Sequence, residues 1–163
     1  MAEIWDAYDV KFNKIENIEL VRGQKIPNGL YHLVCEIAVK HKDGTYLLMQ
    51  RDLRKHLGGL WELSAGGSAL AGETPLICAM RELKEETGIV SDNFTEIGRF
   101  LPNGFDSHYV EFLCITDCPK DSIVLQDGET IAYKWVDRDT LINMDKNELA
   151  ATRTLKILKD KNL

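Results

Sequence analysis

No run of this 163-residue sequence approaches the roughly 18–20 consecutive apolar residues needed to span a bilayer, so no membrane segment is expected. The start, Met1-Ala2-Glu3-Ile4-Trp5-Asp6, lacks a positive segment followed by an apolar one, and no secretory signal is expected either. Cysteine is sparse. Cys35, Cys78, Cys114 and Cys118 contain no Cys-x-x-Cys pair and do not match zinc spacing. Their apolar neighbours read as buried free thiols, which makes a reducing, cytoplasmic setting the expectation. A basic tract is also missing. With 26 acidic and 20 basic residues, the net charge of −6 argues against long nucleic acids, whose binding runs on Lys and Arg meeting phosphates. Only four prolines occur, and no linker, repeat or low-complexity tract divides the chain.

What is present reads as one domain over residues 1–163, with 44% hydrophobic and 28% charged residues, near ordinary globular averages. Residues 1–28 read as an N-terminal β extension, with short strands between Ile4 and Val21. Tyr31, Leu33, Cys35, Ile37 and Val39 alternate strictly and predict a strand, Asp43-Gly44 a turn, and Tyr46 to Met49 the returning strand of a hairpin. Thr74 is a good N-cap, Pro75 suits the first helical position and Gly88 the stop, which predicts a helix between them. Phe94–Phe100, Tyr109–Thr116 and Ile131–Val136 read as strands, and Asp139–Met144 and Glu148–Lys159 as helices. The mixture predicts an α/β or α+β sandwich.

On the central helix, Glu82, Glu85 and Glu86 fall within an arc of about 100°. Leu76, Met80, Leu83 and Thr87 share a neighbouring, largely apolar arc, which is the expected core face. Like charges at i,i+4 repel, anions near a helix C-terminus oppose the macrodipole, and a hard cation held by carboxylate oxygens would reverse that cost. From Gly67 the chain runs five residues to Glu73 and seven more to Arg81-Glu82-Leu83-Lys84-Glu85-Glu86-Thr87-Gly88-Ile89.

This pattern over residues 67–89 resembles the Nudix box, G-x5-E-x7-R-E-U-x-E-E-x-G-U, with every specified position filled. The resemblance implies an α/β/α sandwich around a mixed sheet and a hydrolase that uses Mg²⁺ or Mn²⁺ on a small diphosphate substrate. It further implies that Glu85, Glu86 and the Gly67 carbonyl are metal ligands and that Arg81 and Glu73 form the ion pair orienting them. Glu82 would be another ligand or the base for the attacking water. An additional acidic ligand is expected from a late loop, with Glu129 the first candidate and Glu111 the second.

A second resemblance, carried by Glu3 to Asp9, Arg22-Gly23 and Tyr31-His32-Leu33-Val34, is to the branch of Nudix proteins related to isopentenyl diphosphate isomerase. That enzyme uses a cysteine and several histidine ligands. Its Cys-x-His segment falls where this chain has Ser64-Ala65-Gly66-Gly67-Ser68, and His32 is the one histidine in a comparable place. Hydrolysis is therefore favoured over isomerisation. A catalytically silent nucleotide-binding domain is a further alternative, and the complete box argues against it. Action on oxidised nucleotides or on an RNA cap is compatible with the box. Arg51 and Lys55 are candidates for a substrate phosphate, and Trp61, Phe105 and Tyr109 for stacking. No stripe marks an oligomer interface.

Overall fold

The computed structural model describes all residues 1–163. Strands β1 (Ile4–Tyr8) and β2 (Lys14–Val21) form a separate antiparallel pair. A bridge from Tyr8 to Tyr31 ties them to the rest. The central sheet is built on β3 (His32–His41). The predicted hairpin leads from β3 to β4 (Tyr46–Arg51), but the two pair only at Lys40 and Tyr46 before diverging. Beyond that point β3 pairs antiparallel with β6 (Ala65–Ser68) and in parallel with β8 (Ser107–Thr116). β4 pairs instead with β5 (Trp61–Leu63) and β9 (Thr130–Val136), while β7 (Phe94–Phe100) closes the far edge on β8.

Side-chain alternation along these strands makes two cores. Leu33, Cys35, Ile37, Val39, Leu47 and Met49 face helix α1 (Pro75–Thr87). Ala38, Tyr46 and Leu48 point the other way, toward α2 (Arg138–Ile142) and α3 (Arg153–Asp160). The period of two thus gives each face of the sheet its own helical layer, the expected α/β/α sandwich.

Helix α1 runs between its expected signals. The Thr74 hydroxyl accepts from the Ile77 N–H, and Gly88 ends the helix at a φ of 76°, which a residue without Cβ adopts freely. Its inward face differs from the expected one. Leu76 and Met80 are exposed, whereas Cys78, Ala79, Leu83, Glu86 and Thr87 are buried. Small side chains at 78 and 79 let the helix approach β6 closely, and that proximity outweighs the hydrophobicity of Leu76 and Met80. Leu83→Ala is accordingly expected to cost about 2–5 kcal/mol. Met80→Ala is expected to stay within about 0.5 kcal/mol; urea unfolding of both variants checks the orientation.

The last predicted helix also starts later than expected. Residues Lys146–Glu148 form one 3-10 turn, and Leu149 then pairs with Trp61 as a short parallel bridge. The Ala150 N–H donates to the Trp61 carbonyl at 2.8 Å, so a sheet-edge hydrogen bond replaces the first helical turn and α3 begins at Arg153.

Candidate functional site: an acidic cavity beside the C-terminal half of the central helix

Strand β6 brings Gly66 and Gly67 alongside Glu36 and Cys35 of β3, and α1 packs directly over it. The approach is closest at Gly67, where a Cβ would stand 2.2 Å from Glu82 Oε1. Any side chain there would displace the Glu82 carboxylate. Glycine at this position thus leaves room for the Glu82 carboxylate where it stands.

Arg81 organises the acidic residues. Its Nε and Nη2 donate to the two oxygens of Glu73 at 2.7 and 2.9 Å, a bidentate pair. Its Nη1 reaches Glu82 at 2.7 Å and Glu85 at 3.2 Å, and Nη2 also meets the Ser68 carbonyl at 3.0 Å. Burial alone would raise the Glu73 pKa, but Arg81 and the Leu70 N–H outweigh it and hold the carboxyl below its ordinary value. Glu73 sits behind Arg81, away from the opening.

Glu86 is the opposite case. It is 5% exposed, and its carboxylate accepts the Gly66 N–H at 3.1 Å. Burial, reinforced by the neighbouring Glu62 and Glu82 carboxylates, pushes its pKa up to about 8. Burial raises Glu82 as well, against the pull of Arg81.

Gly67, Glu82, Glu85, Glu86 and Glu129 share the walls of one cavity of about 370 Å³. Glu129 comes from the loop before β9 and is ion-paired with Lys55, which lines the same cavity. The acidic groups do not converge by themselves on one point, because Arg81 draws Glu82 and Glu85 toward itself. The donors facing the cavity are oxygens, and Glu86 is a buried carboxylate whose charge lacks compensation. That chemistry fits a hard divalent cation.

The family described as NUDIX domain matches residues 31–158. The chain belongs to the Nudix family. It is 32% identical over 146 residues to an uncharacterised Nudix hydrolase of Listeria innocua, covering 85% of this chain and 82% of that protein. It is also 34% identical over 116 residues to the isopentenyl-diphosphate Delta-isomerase of Dinoroseobacter shibae, covering 67% and 65%. The solved structure of DR0079 from Deinococcus radiodurans superposes with a TM-score of 0.76 at 14% identity, over 96% of this chain and 98% of that one, which shows the shared fold. No helix is long and apolar enough to cross a membrane.

The Nudix match begins at Tyr31, yet Glu3 and Arg22 of the preceding β pair also line the acidic cavity, bonded to each other at 2.7 Å. A smaller cavity of about 170 Å³ shares Gly66 and Gly67 with the first. Arg51 lies here, its Nη1 2.5 Å from Glu62 Oε2, so Arg51 and Lys55 face different cavities. Tyr109 lines the smaller cavity; Phe105 is exposed and lines neither, and Trp61 is covered by Lys134. His32 stacks on Trp5, and its Nε2 lies 2.7 Å from Ser107 Oγ. Burial pushes its pKa down to about 4, which suits a packed neutral ring.

Glu111 is not at the acidic cavity. It is fully buried on β8, directly beside Glu36 in the β3–β8 register, and accepts the Thr154 hydroxyl at 2.7 Å and Arg153 Nε at 3.2 Å. Sequence reading passed over Glu36, Glu62 and Arg153. A carboxylate inside each of two otherwise apolar strands was the available signal for Glu36 and Glu111, whereas Arg153 arrives from a distant segment. Burial, together with Glu36, pushes Glu111 up to about 8 from an ordinary 4.5. The folded state therefore holds this proton more tightly than the unfolded one, and stability falls as pH rises from about 4.5 through 8. Thermal melts across that range are expected to show the decline, and Glu111→Gln to make it shallower, with the share due to Glu86 remaining.

Proposed function

We propose that this Nudix protein hydrolyses the diphosphate linkage of a nucleoside diphosphate derivative, with Mg²⁺ or Mn²⁺ held in the acidic cavity. The observation that carries this reading is the buried, uncompensated Glu86 beside Gly67, Glu82 and Glu85 in one opening. Glu85, Glu86 and the Gly67 carbonyl would hold the cation, with Glu129, which is ion-paired with Lys55, as a further ligand. When bound, the cation lowers the pKa of water and neutralises phosphate oxygens that the glutamates would otherwise repel. Glu82 supplies either a further ligand or the acceptor of the water's proton, and both roles are removed in Glu82→Gln. Arg81 and Glu73 hold the carboxylates in place. Arg22 and Lys55, at the walls of the same cavity, meet the phosphates. The products are a nucleoside monophosphate and the other phosphorylated half. Four free cysteines, three of them buried, go with a reducing cytoplasmic setting.

Likeness to the Dinoroseobacter isomerase favours a second reading, isomerisation of isopentenyl diphosphate. Against it stand the lack of Cys or His between Ser64 and Ser68 and the engagement of His32 by Ser107. The deciding experiment incubates the protein and Mg²⁺ or Mn²⁺ with nucleoside diphosphate derivatives, nucleoside triphosphates, dinucleotides and isopentenyl diphosphate. Metal-dependent release of a monophosphate is expected. An allylic isomer with no phosphate product, or no turnover of any compound, would reject the hydrolase reading.

A further inference from the structure

The largest cavity of the molecule lies apart from the acidic one and is opposite to it in sign. Its volume of about 570 Å³ falls within the roughly 300–1,000 Å³ of small-molecule pockets. Lys146, Arg153, Lys156 and Lys159 stand in its wall against a single carboxylate, Asp160, although the chain as a whole carries 26 acidic and 20 basic residues. Ala150 and Ala151 supply an apolar side.

Two segments bring these cations together. Arg153, Lys156 and Lys159 recur at three-residue spacing along one side of α3, while Leu155 and Leu158 turn to the core. Lys146 opens the 3-10 turn, and the bridge from Leu149 to Trp61 fixes the chain between that turn and α3. Arg153 is held from behind. Its Nε and Nη2 meet Glu111 and Glu36 at 3.2 and 2.5 Å, and its guanidinium lies over the Phe100 and Tyr109 rings. Asp160 is taken up by Lys156, and Asp145, next to Lys146, accepts the Asn147 N–H at 2.9 Å. Lys146 and Lys159 are left without an ion pair. A concave wall of one sign focuses its field on whatever enters, so an anion between these two ammonium groups gains from both.

We infer that this cavity binds a phosphorylated small molecule without a metal, its phosphate between Lys146 and Lys159 and its carbon part against Ala150 and Ala151. The inference goes beyond the hydrolase reading and does not rest on it. In the acidic cavity a phosphate needs a divalent cation to offset the glutamates, whereas here the side chains are themselves cationic. A long polyanion would need the basic surface to continue, and the exposed Asp145, Glu148 and Asp160 interrupt it.

The test titrates the full chain with AMP and, separately, with inorganic phosphate in EDTA at physiological ionic strength, by calorimetry and melting temperature. AMP is expected to bind at a single site, more tightly than phosphate, and to raise the melting temperature. Lys146→Ala combined with Lys159→Ala is expected to weaken AMP by at least about tenfold, through loss of two charge-assisted bonds. The unliganded melting temperature should hardly move, since both side chains are exposed. Removing the same charge from the β extension, as Lys11→Ala with Lys25→Ala, is expected to change AMP affinity by less than about twofold, because distant exposed charges are screened. No binding of AMP in EDTA overturns the inference, and so does equal weakening by the two lysine pairs. Loss of binding in Lys55→Ala, with retention in the Lys146 and Lys159 variant, would place the anion in the acidic cavity instead. Equal affinity for AMP and phosphate would reduce the ligand to a bare ion, and tighter binding of a hexaglutamate peptide would make the surface a protein dock. None of these outcomes touches hydrolysis, which is assayed with the metal that EDTA removes.

Discussion

Replacing Glu86 by glutamine is expected to lower metal-dependent turnover by on the order of 10³-fold or more while leaving the fold at least as stable. The two halves of that expectation have one cause. Glu86 is 5% exposed, and its surroundings, burial first and then Glu62 and Glu82, disfavour its charge. A glutamine of nearly the same shape still offers an oxygen to the Gly66 N–H, which Glu86 accepts at 3.1 Å, and carries no charge to desolvate. What it would lose, with the cation held as proposed, is an anionic ligand. Metal-assisted charge stabilisation is worth several kcal/mol, which at about 1.4 kcal/mol per tenfold gives the stated loss. Steady-state rates beside thermal melts in EDTA check both halves. Near wild-type rates would move the cation elsewhere, and a large drop in melting temperature would contradict the electrostatic account.

Arg81→Ala is expected to cost about 2–4 kcal/mol of stability and most of the activity. Breaking a buried ion pair by removing one partner typically costs ~3–5 kcal/mol, and the figure is reduced here because Arg81, Glu73 and Glu82 retain 23%, 14% and 12% exposure. Three carboxylates lose their cation at once, and the Ser68 carbonyl loses a donor. Lysine is a poor substitute, since a single ammonium cannot reproduce the forked bond to Glu73 and also reach Glu82 and Glu85. Arg81→Lys should therefore recover little activity. Denaturant unfolding and turnover of both variants measure this, and full rescue by lysine would show that Arg81 acts as a charge and not as a scaffold.

The parts of this molecule that were legible in its sequence are those governed by neighbours along the chain. The cap at Thr74, the stop at Gly88 and the alternation from Tyr31 to Val39 are local devices, and the elements they predict are present. The grouping of Glu82, Glu85 and Glu86 follows from helical geometry. Decisions made across space were not legible. Cys78 and Ala79 displace Leu76 and Met80 from the core because β6 lies close by. Leu149 leaves its predicted helix for Trp61, and Arg153 travels to Glu36 and Glu111, 117 and 42 residues away. The box named most of the acidic residues that line the acidic cavity, but the second cavity is assembled from segments whose meeting only the fold reveals.

The parallel ladder between β3 and β8 also bears on the order in which the molecule assembles. His32 and Ser107 head a register of adjacent residues whose first members are 75 positions apart in the chain. Such a closure must be completed before its contacts repay the loss of chain entropy, which places it late in folding and favours slow, millisecond-to-second kinetics. Gly66 and Gly67 ride on the opposite edge of β3, so the acidic cavity is finished only when the sheet is. A divalent ion then has little to grip in the nascent chain. Bound as proposed, it would act by slowing the escape from the native state, not by hastening arrival there.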